Sequence, residues 1–433
     1  MKFKLFLKRF SLIISLFLFF SCTTYRDYDS VYSQINSGNY DSAYEQLEVE
    51  KSYLYTENDE VLYSLDSGLL AHYNKDYKES NNKLSRAEVL IESFYAKSIS
   101  QGINSFFVND SMQDYAGEEY EDIYSNIFMA LNYIHLNKIE DAFVEIRRFD
   151  NKQKALSVKY AEEIAYAKTQ IEDLDYNVQF NNSALARYIS LLLYRSRNQM
   201  DSATVDKRKI EEAFLTQPQL YPFEMPLAVE EEFLIPSNMA RLNIISFAGL
   251  SPLKIEQSID TFNYNNEIFY KLSIPEMYKR GTKVASISVQ VYDDKNNSYI
   301  DLLEKIESIE NIAYDTFAEK KAIIYTKAFL RSISKTAVST TFDVLAENSN
   351  DELYGLLGIM SKVWIGVTEF ADLRTSQFFP AEAYVGGLTL PEGNYVVEVR
   401  YLDNKGNTIS KEVFQDVTVS KNKINLLETL CVK

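Results

Sequence analysis

Few residues in this chain are equipped for chemistry. Its 433 residues include two histidines, His72 and His135, and two cysteines, Cys22 and Cys431. A helical His-Glu-x-x-His pair, a cluster at zinc-ligand spacing, a Gly-x-Ser-x-Gly nucleophile elbow and the glycine-rich phosphate loops are all missing from the sequence. The acidic turn at 293–298 lacks the glycine and closing glutamate of a calcium loop. With 62 Asp and Glu side chains, no carboxylate pair stands out for acid–base work. Hydrolases that use two carboxylates carry no short motif. The expectation is a protein with no catalytic site, no metal and no cofactor.

Cys22 is the cysteine with a readable role. Lys2, Lys4, Lys8 and Arg9 precede an apolar run over 10–20, and the small Ser21 stands directly before Cys22. A positive segment, a short apolar segment and a small residue make an export signal. The apolar run is too short for a spanning helix, which needs about 20 residues. Cleavage between Ser21 and Cys22, with diacylglycerol added to the Cys22 sulfur, is the pattern of a lipobox. It is a relaxed one here, with Phe19 and Phe20 in the upstream positions. An uncleaved anchor, or an ordinary secretory signal that ends at a cysteine, is the competing reading. Acyl chains hold firmly because each buried methylene contributes about 0.8 kcal/mol. Thr23 in place of Asp after the cysteine favours the outer membrane over the inner. Cys431 ends the apolar stretch at 424–430 and reads as a buried structural thiol.

Charge narrows the class of partner. Removing residues 1–21 takes away four basic groups and leaves 41 basic against 62 acidic, a net of −21. Nucleic acids are bound through basic patches that release counterions, and no basic stripe exists here. Anionic headgroups also repel such a chain, so membrane attachment needs an anchor.

Two kinds of element must position the remaining groups. All eight prolines lie at or after 218, five of them between 218 and 252. Proline breaks helix interiors, so 25–217 is free to be nearly all helix. Within it a pattern recurs at 31–50, 67–92, 127–149 and 186–214. Each copy has an apolar helix, a short polar turn, and a small residue (Ala43, Ser80, Ala142, Ala203) opening a second helix. A small side chain there lets the two helices approach closely. Tyr40, Tyr77 and Ile139 stand three residues earlier as wedges. The pattern resembles the tetratricopeptide repeat, a helix–turn–helix unit whose stacks bind partner segments on a concave face; a generic helical bundle is the alternative. In the third copy Asn132 and His135 share a helix face. Together with Tyr133 they are the candidate partner groove, with capping or solvation of an exposed face as the competing account of Asn132 and His135.

The remainder reads as mixed α/β with a largely antiparallel sheet. Strands are expected at 242–250, 282–293, 381–390, 394–403 and 409–420, with hairpin turns at 293–297 and 403–407. Helices are expected over 300–334 and 352–370 from apolar recurrence at helical spacing. The fold class is α+β: a helical-hairpin array, then a mixed domain. The divisions are a signal peptide at 1–21, a lipidated tether at 22–30, the hairpin array at 31–217, a Pro-rich linker at 218–240 and the second domain at 241–433.

Several segments, VNDSMQDYAGEEYED (108–122), ALNY (130–133), AFVEIRR (142–148), GLSPLK (249–254), AFLRSISK (328–335) and ADLRTSQFFPAE (371–382), stand out from the rest. On these the chain resembles an uncharacterised family of bacterial envelope lipoproteins with tetratricopeptide-like halves. Leu373 stands where the resemblance implies threonine, and Asp372 with Arg374 reads as a salt-bridged turn. The resulting expectation is a membrane-anchored, non-enzymatic scaffold for an unidentified envelope protein or peptide. A cell-wall or polysaccharide hydrolase with a carboxylate site in the second half is the alternative. A surface lipoprotein that binds a host or neighbouring-cell ligand is a third reading.

Overall fold

The computed structural model describes residues 26–101, 110–159, 161, 164–165, 179–263, 268–295, 297–318, 320–321, 323–328, 371–421 and 423–433. Ser21 and Cys22, and the helix expected at 352–370, lie outside the described residues.

Four helical hairpins open the chain. They pair α1 (Asp29–Asn36) with α2 (Tyr40–Leu54), and α3 (Glu60–Tyr73) with α4 (Tyr77–Gln101). The third pairs α5 (Glu119–His135) with α6 (Ile139–Lys159), and the fourth α7 (Ala184–Ser196) with α8 (Met200–Thr216). All four turns are built alike. Gly38, Lys75, Asn137 and Asn198 take the left-handed conformation, with φ of 75°, 63°, 55° and 57°. That reversal sends the next amide back to the first helix: Asn39 to Gln34, Asp76 to Ala71, Lys138 to Tyr133 and Gln199 to Tyr194. Two carbonyls of each helix end are thereby satisfied in the αL closure common at helix C-termini. Ala43, Ser80, Ala142 and Ala203 are fully buried where the second helices begin, the small-residue contacts that the sequence requires. Successive hairpins stack on one another.

Past Pro218 the chain runs through loops and the single turn α9 (Ala228–Glu231) into the sheet. Seven strands lie in the order β8-β7-β4-β5-β6-β1-β9. They are β1 (Ala240–Ala248), β4 (Ser286–Tyr292), β5 (Ser298–Ser308), β6 (Glu382–Leu390), β7 (Gly393–Leu402), β8 (Thr408–Val419) and β9 (Asn425–Cys431). All pairings are antiparallel except β1 with β9. A separate two-stranded ribbon joins β2 (Leu253–Asn263) to β3 (Ile268–Tyr278). The chain is therefore α+β, a helical-hairpin array followed by a mostly antiparallel sheet.

The helix expected over 300–334 is corrected in its first part. Residues 298–308 form β5, and helix begins only at 309. Leu302 and Ile306 are four apart, a spacing that keeps two residues on one face in either a helix or a strand. A register shift between Lys305 and Glu307 marks a bulge. Around it Ile306 enters the shared core and Glu307 bonds to a tyrosine of α5.

Alternation sends the two faces of the sheet to different cores. Ile245 and Phe247 of β1, Ala383 and Val385 of β6 and Leu430 of β9 pack against the hairpins in one core that runs through both halves. Leu242, Ile244, Tyr384 and Cys431 face the other way, into a second core with Val289, Val397 and Tyr401. β1 is buried along its whole length because it is covered on both sides. Cys431 is a buried free thiol.

Candidate functional site

Asn132, Tyr133 and His135 stand on the last turn of α5 and separate to two sides of it. Asn132 is fully buried. Its amide donates to Ser80 Oγ (2.8 Å) and Asn81 Oδ1 (2.9 Å), and its Oδ1 meets His72 Nδ1 at 2.6 Å. The other His72 nitrogen bonds to Glu428 Oε1, and His135 Nε2 reaches Glu428 Oε2 at 3.1 Å. The ring of His135 stacks on Tyr77, 4.4 Å between centroids and 7° from parallel. Asn132 and His135 thus do share a face, but that face meets the sheet rather than an open groove. Both histidines of the chain converge on one carboxylate of β9. Burial works against charge at these positions. The imidazoles outweigh it and hold Glu428 down at about 2. Burial likewise lowers His72, yet Glu428 and Asn132 leave its pKa raised.

Tyr133 points to the other side and lines an open groove of about 640 Å³ between the second and third hairpins. Ser85, Glu88, Val89 and Glu92 of α4 form one wall, and Asp141, Glu145, Arg148 and Lys152 of α6 stand on the other. Glu88 and Glu145 both accept from the Asn126 amide, at 3.0 and 2.8 Å. Lys152 reaches Glu88 (2.8 Å) and Asp122 (2.6 Å), while Arg148 reaches Glu88 (3.0 Å) and Glu145 (3.5 Å). Burial raises Glu88, but Lys152 overrides it and the pKa falls. Burial dominates at Glu145 and raises it. Glu92 and Asp141 are exposed at the rim.

A third cluster joins the halves. Glu121 of α5 accepts from Tyr115 Oη (2.6 Å), Glu118 N (2.8 Å), Ser376 N (2.6 Å) and Thr375 Oγ1 (3.0 Å). Glu118 pairs with Lys254, and Tyr120 meets Ser251 Oγ at 3.3 Å. Arg374 grips Asp372 through Nε (2.8 Å) and Nη2 (2.7 Å). It also donates to Asp59 Oδ1 (3.3 Å) and to the carbonyls of Gln113 and Asp110 (both 2.9 Å). The salt-bridged turn expected at 372–374 is present. Asp66 accepts from Ser376 Oγ, Gln377 N and Tyr55 Oη, and burial pushes it up to about 7. Segments 110–122, 249–254 and 371–382, distant in sequence, meet here. Of 328–335 only Ala328, which is buried, lies among the described residues. A second anchor is Glu307, whose carboxylate accepts from Tyr124, Ser183, Leu185 N and Tyr221.

Glu121, Asp66 and Glu307 are buried, and each accepts three or more hydrogen bonds, among them bonds between the two halves of the chain. Among the described residues, no group of three or more His, Cys, Asp or Glu is arranged to hold a metal ion, and no helix is long and apolar enough to cross a membrane. No protein-family model matches the chain, and no curated protein matches it significantly.

Proposed function

We propose that this chain is a lipid-anchored cell-envelope lipoprotein, exported by residues 1–21 and held through Cys22, that serves as a non-enzymatic scaffold for a protein partner. The groove between the second and third hairpins carries this reading. Its walls present Glu88, Glu92, Asp141 and Glu145 against Arg148 and Lys152, and both cations already lie on carboxylates. Half-buried Tyr133 and Val89, 58% exposed, add aromatic and aliphatic surface. A partner segment that bears Lys or Arg beside apolar residues matches that lining, and complementary charge speeds and orients docking. The net charge of −21 on the mature chain favours the same kind of partner and disfavours nucleic acid. The resemblance to tetratricopeptide-like envelope lipoproteins belongs to this reading, with the outer membrane favoured.

Crosslinking in intact cells, followed by mass spectrometry of what co-purifies, tests it with wild type beside Glu92→Lys/Asp141→Lys. Both sites are exposed, so stability should change by no more than about 0.5 kcal/mol at each. The reading expects a defined partner in wild type and at least a tenfold loss in the variant. Equal recovery in both samples would remove the groove. Cys22→Ala should release the chain from the membrane fraction, and retention there would remove the lipid anchor.

A further inference from the structure

The chain's two histidines have no part in the scaffold reading, yet both are built into one contact. His72 lies in the last turn of α3 and His135 ends α5. A helix C-terminus favours a cation there. Glu428, on β9, takes one imidazole on each carboxylate oxygen. At His72 the geometry fixes the proton count. Nε2 faces a carboxylate, and Nδ1 faces Asn132 Oδ1, whose own amide nitrogen is engaged by Ser80 and Asn81. Two acceptors require two N–H groups, so the ring is an imidazolium. The side chain of His72 is only 1% exposed, so its charge depends on Glu428 rather than on water.

We propose that the His72–Glu428–His135 bridge is a pH-dependent clamp that fastens the last strand, β9, to the second and third hairpins. Its working range follows from the two charges. His72 has a raised pKa, so its contribution is complete below about 6.5 and is lost as pH rises through the folded value. Glu428 is depressed to about 2, so its contribution is complete above the ordinary 4.5 and is lost only as pH falls toward 2. The clamp is tightest between these limits and slackens on the alkaline side. There a neutral ring leaves one nitrogen lone pair against an acceptor and the buried carboxylate short of its counter-charge.

Other titratable groups lie around the bridge and the end of β9. Tyr40, Tyr73 and Tyr77 approach from α2, α3 and α4, and burial raises the pKa of all three. From β8 comes Glu412, pushed up to about 7 by burial, with Lys75 of the second turn nearby. Cys431 follows on β9 and is raised by burial. Glu412 accepts from Leu430 N at 3.4 Å and is the one group able to mimic a change near neutrality. The clamp stands independently of what the groove binds.

Only two histidines means two imidazole signals, so NMR of the mature chain with ring-labelled histidine reads the clamp directly. His135→Gln assigns His72 and, since His135 is part-exposed, serves as the folded variant should Glu428→Gln fail to fold. In wild type His72 should titrate above 6.5, and amide protection of 428–431 should fall at least tenfold from pH 6 to pH 9 after correction for intrinsic exchange. Glu428→Gln should drop the His72 titration below 6.5 and bring protection at pH 6 to the wild-type pH 9 level. Glu412→Gln should leave the histidine titration in place. A His72 that titrates at or below 6.5 in wild type, or protection indifferent to pH, would overturn the proposal. So would a loss of the effect on Glu412→Gln alone.

Discussion

Arg374→Ala removes the guanidinium on which the junction of the two halves converges. The side chain is 9% exposed and touches Asp372, Asp59 and the carbonyls of Gln113 and Asp110. Asp372, whose side chain is 16% exposed, keeps the charge of Lys254 nearby when the arginine is lost. Asp59 is fully buried and among the described residues keeps Arg26, at 2.7 Å, as its cationic partner. Breaking a buried pair by removing one partner costs about 3–5 kcal/mol. That corresponds to a factor of about 10² or more in the unfolding equilibrium. Arg374→Lys should recover part of it, because an ammonium cannot reproduce the bidentate grip on Asp372. Burial works against charge on Asp372, but Arg374 and Lys254 hold it down at about 2. Its contribution is therefore full above the ordinary 3.8 and fades as pH falls toward 2, so the gap between wild type and variant should narrow over that range. Urea unfolding of the mature chain, followed by far-UV circular dichroism at pH 7 and pH 3, measures both effects. A loss below about 1 kcal/mol at pH 7 would refute the claim that this arginine joins the halves.

Three further outcomes follow from the same geometry. Glu307→Ala leaves Tyr124, Ser183, Leu185 N and Tyr221 without their common acceptor; it should cost about 3–5 kcal/mol, while Tyr221→Phe, which removes one of these donors and leaves Ala184 N without its tyrosine acceptor, should cost about 1–3 kcal/mol in the same urea assay. Asn137→Ala puts at φ 55° a residue without asparagine's tolerance of the left-handed region and should cost about 1–2 kcal/mol, whereas Asn137→Gly should be near neutral, both read from thermal unfolding. Asp66 is raised to about 7, so wild-type stability falls as pH climbs from the ordinary 3.8 through that value. Asp66→Asn lacks this dependence and should therefore gain on wild type between pH 5 and pH 8; a constant difference across that range would show that Asp66 does not titrate there.

What the sequence reveals and conceals follows from how each element is buried. The hairpins are legible because a hairpin needs a small residue where its second helix starts and a left-handed residue in its turn. Both requirements are written locally, as in Ser37-Gly38-Asn39-Tyr40 before Ala43. Strands β1, β4, β6, β7 and β8 alternate or run apolar, and they were readable for that reason. β9 was not. Its INLLETLC run, 424–431, carries Glu428 amid aliphatic residues, and parallel pairing with β1 buries it without clean alternation. The carboxylate that gathers both histidines was therefore invisible beforehand, and Asn132 and His135 were placed on a groove that they do not line. β5 was hidden by Leu302 and Ile306, whose spacing suits either period, and by the bulge at Lys305–Glu307. In β3, Pro275 argues against a strand, but the two-stranded ribbon consists of edges and accommodates it. The polar junction left only short segments in the sequence. Several of its partners lie more than 250 residues apart, as with Glu121 and Ser376, a separation that no local pattern records.

Site-specific photocrosslinking in intact cells tests the scaffold account most directly. A photoreactive residue replaces Val89, on the groove wall, and in a parallel strain Val205, exposed on α8 away from it. The account predicts one dominant adduct from position 89, mapped by mass spectrometry to a Lys- or Arg-bearing segment of an envelope protein, and none of that adduct from position 205. The same adducts from both positions, or none from position 89, would contradict it.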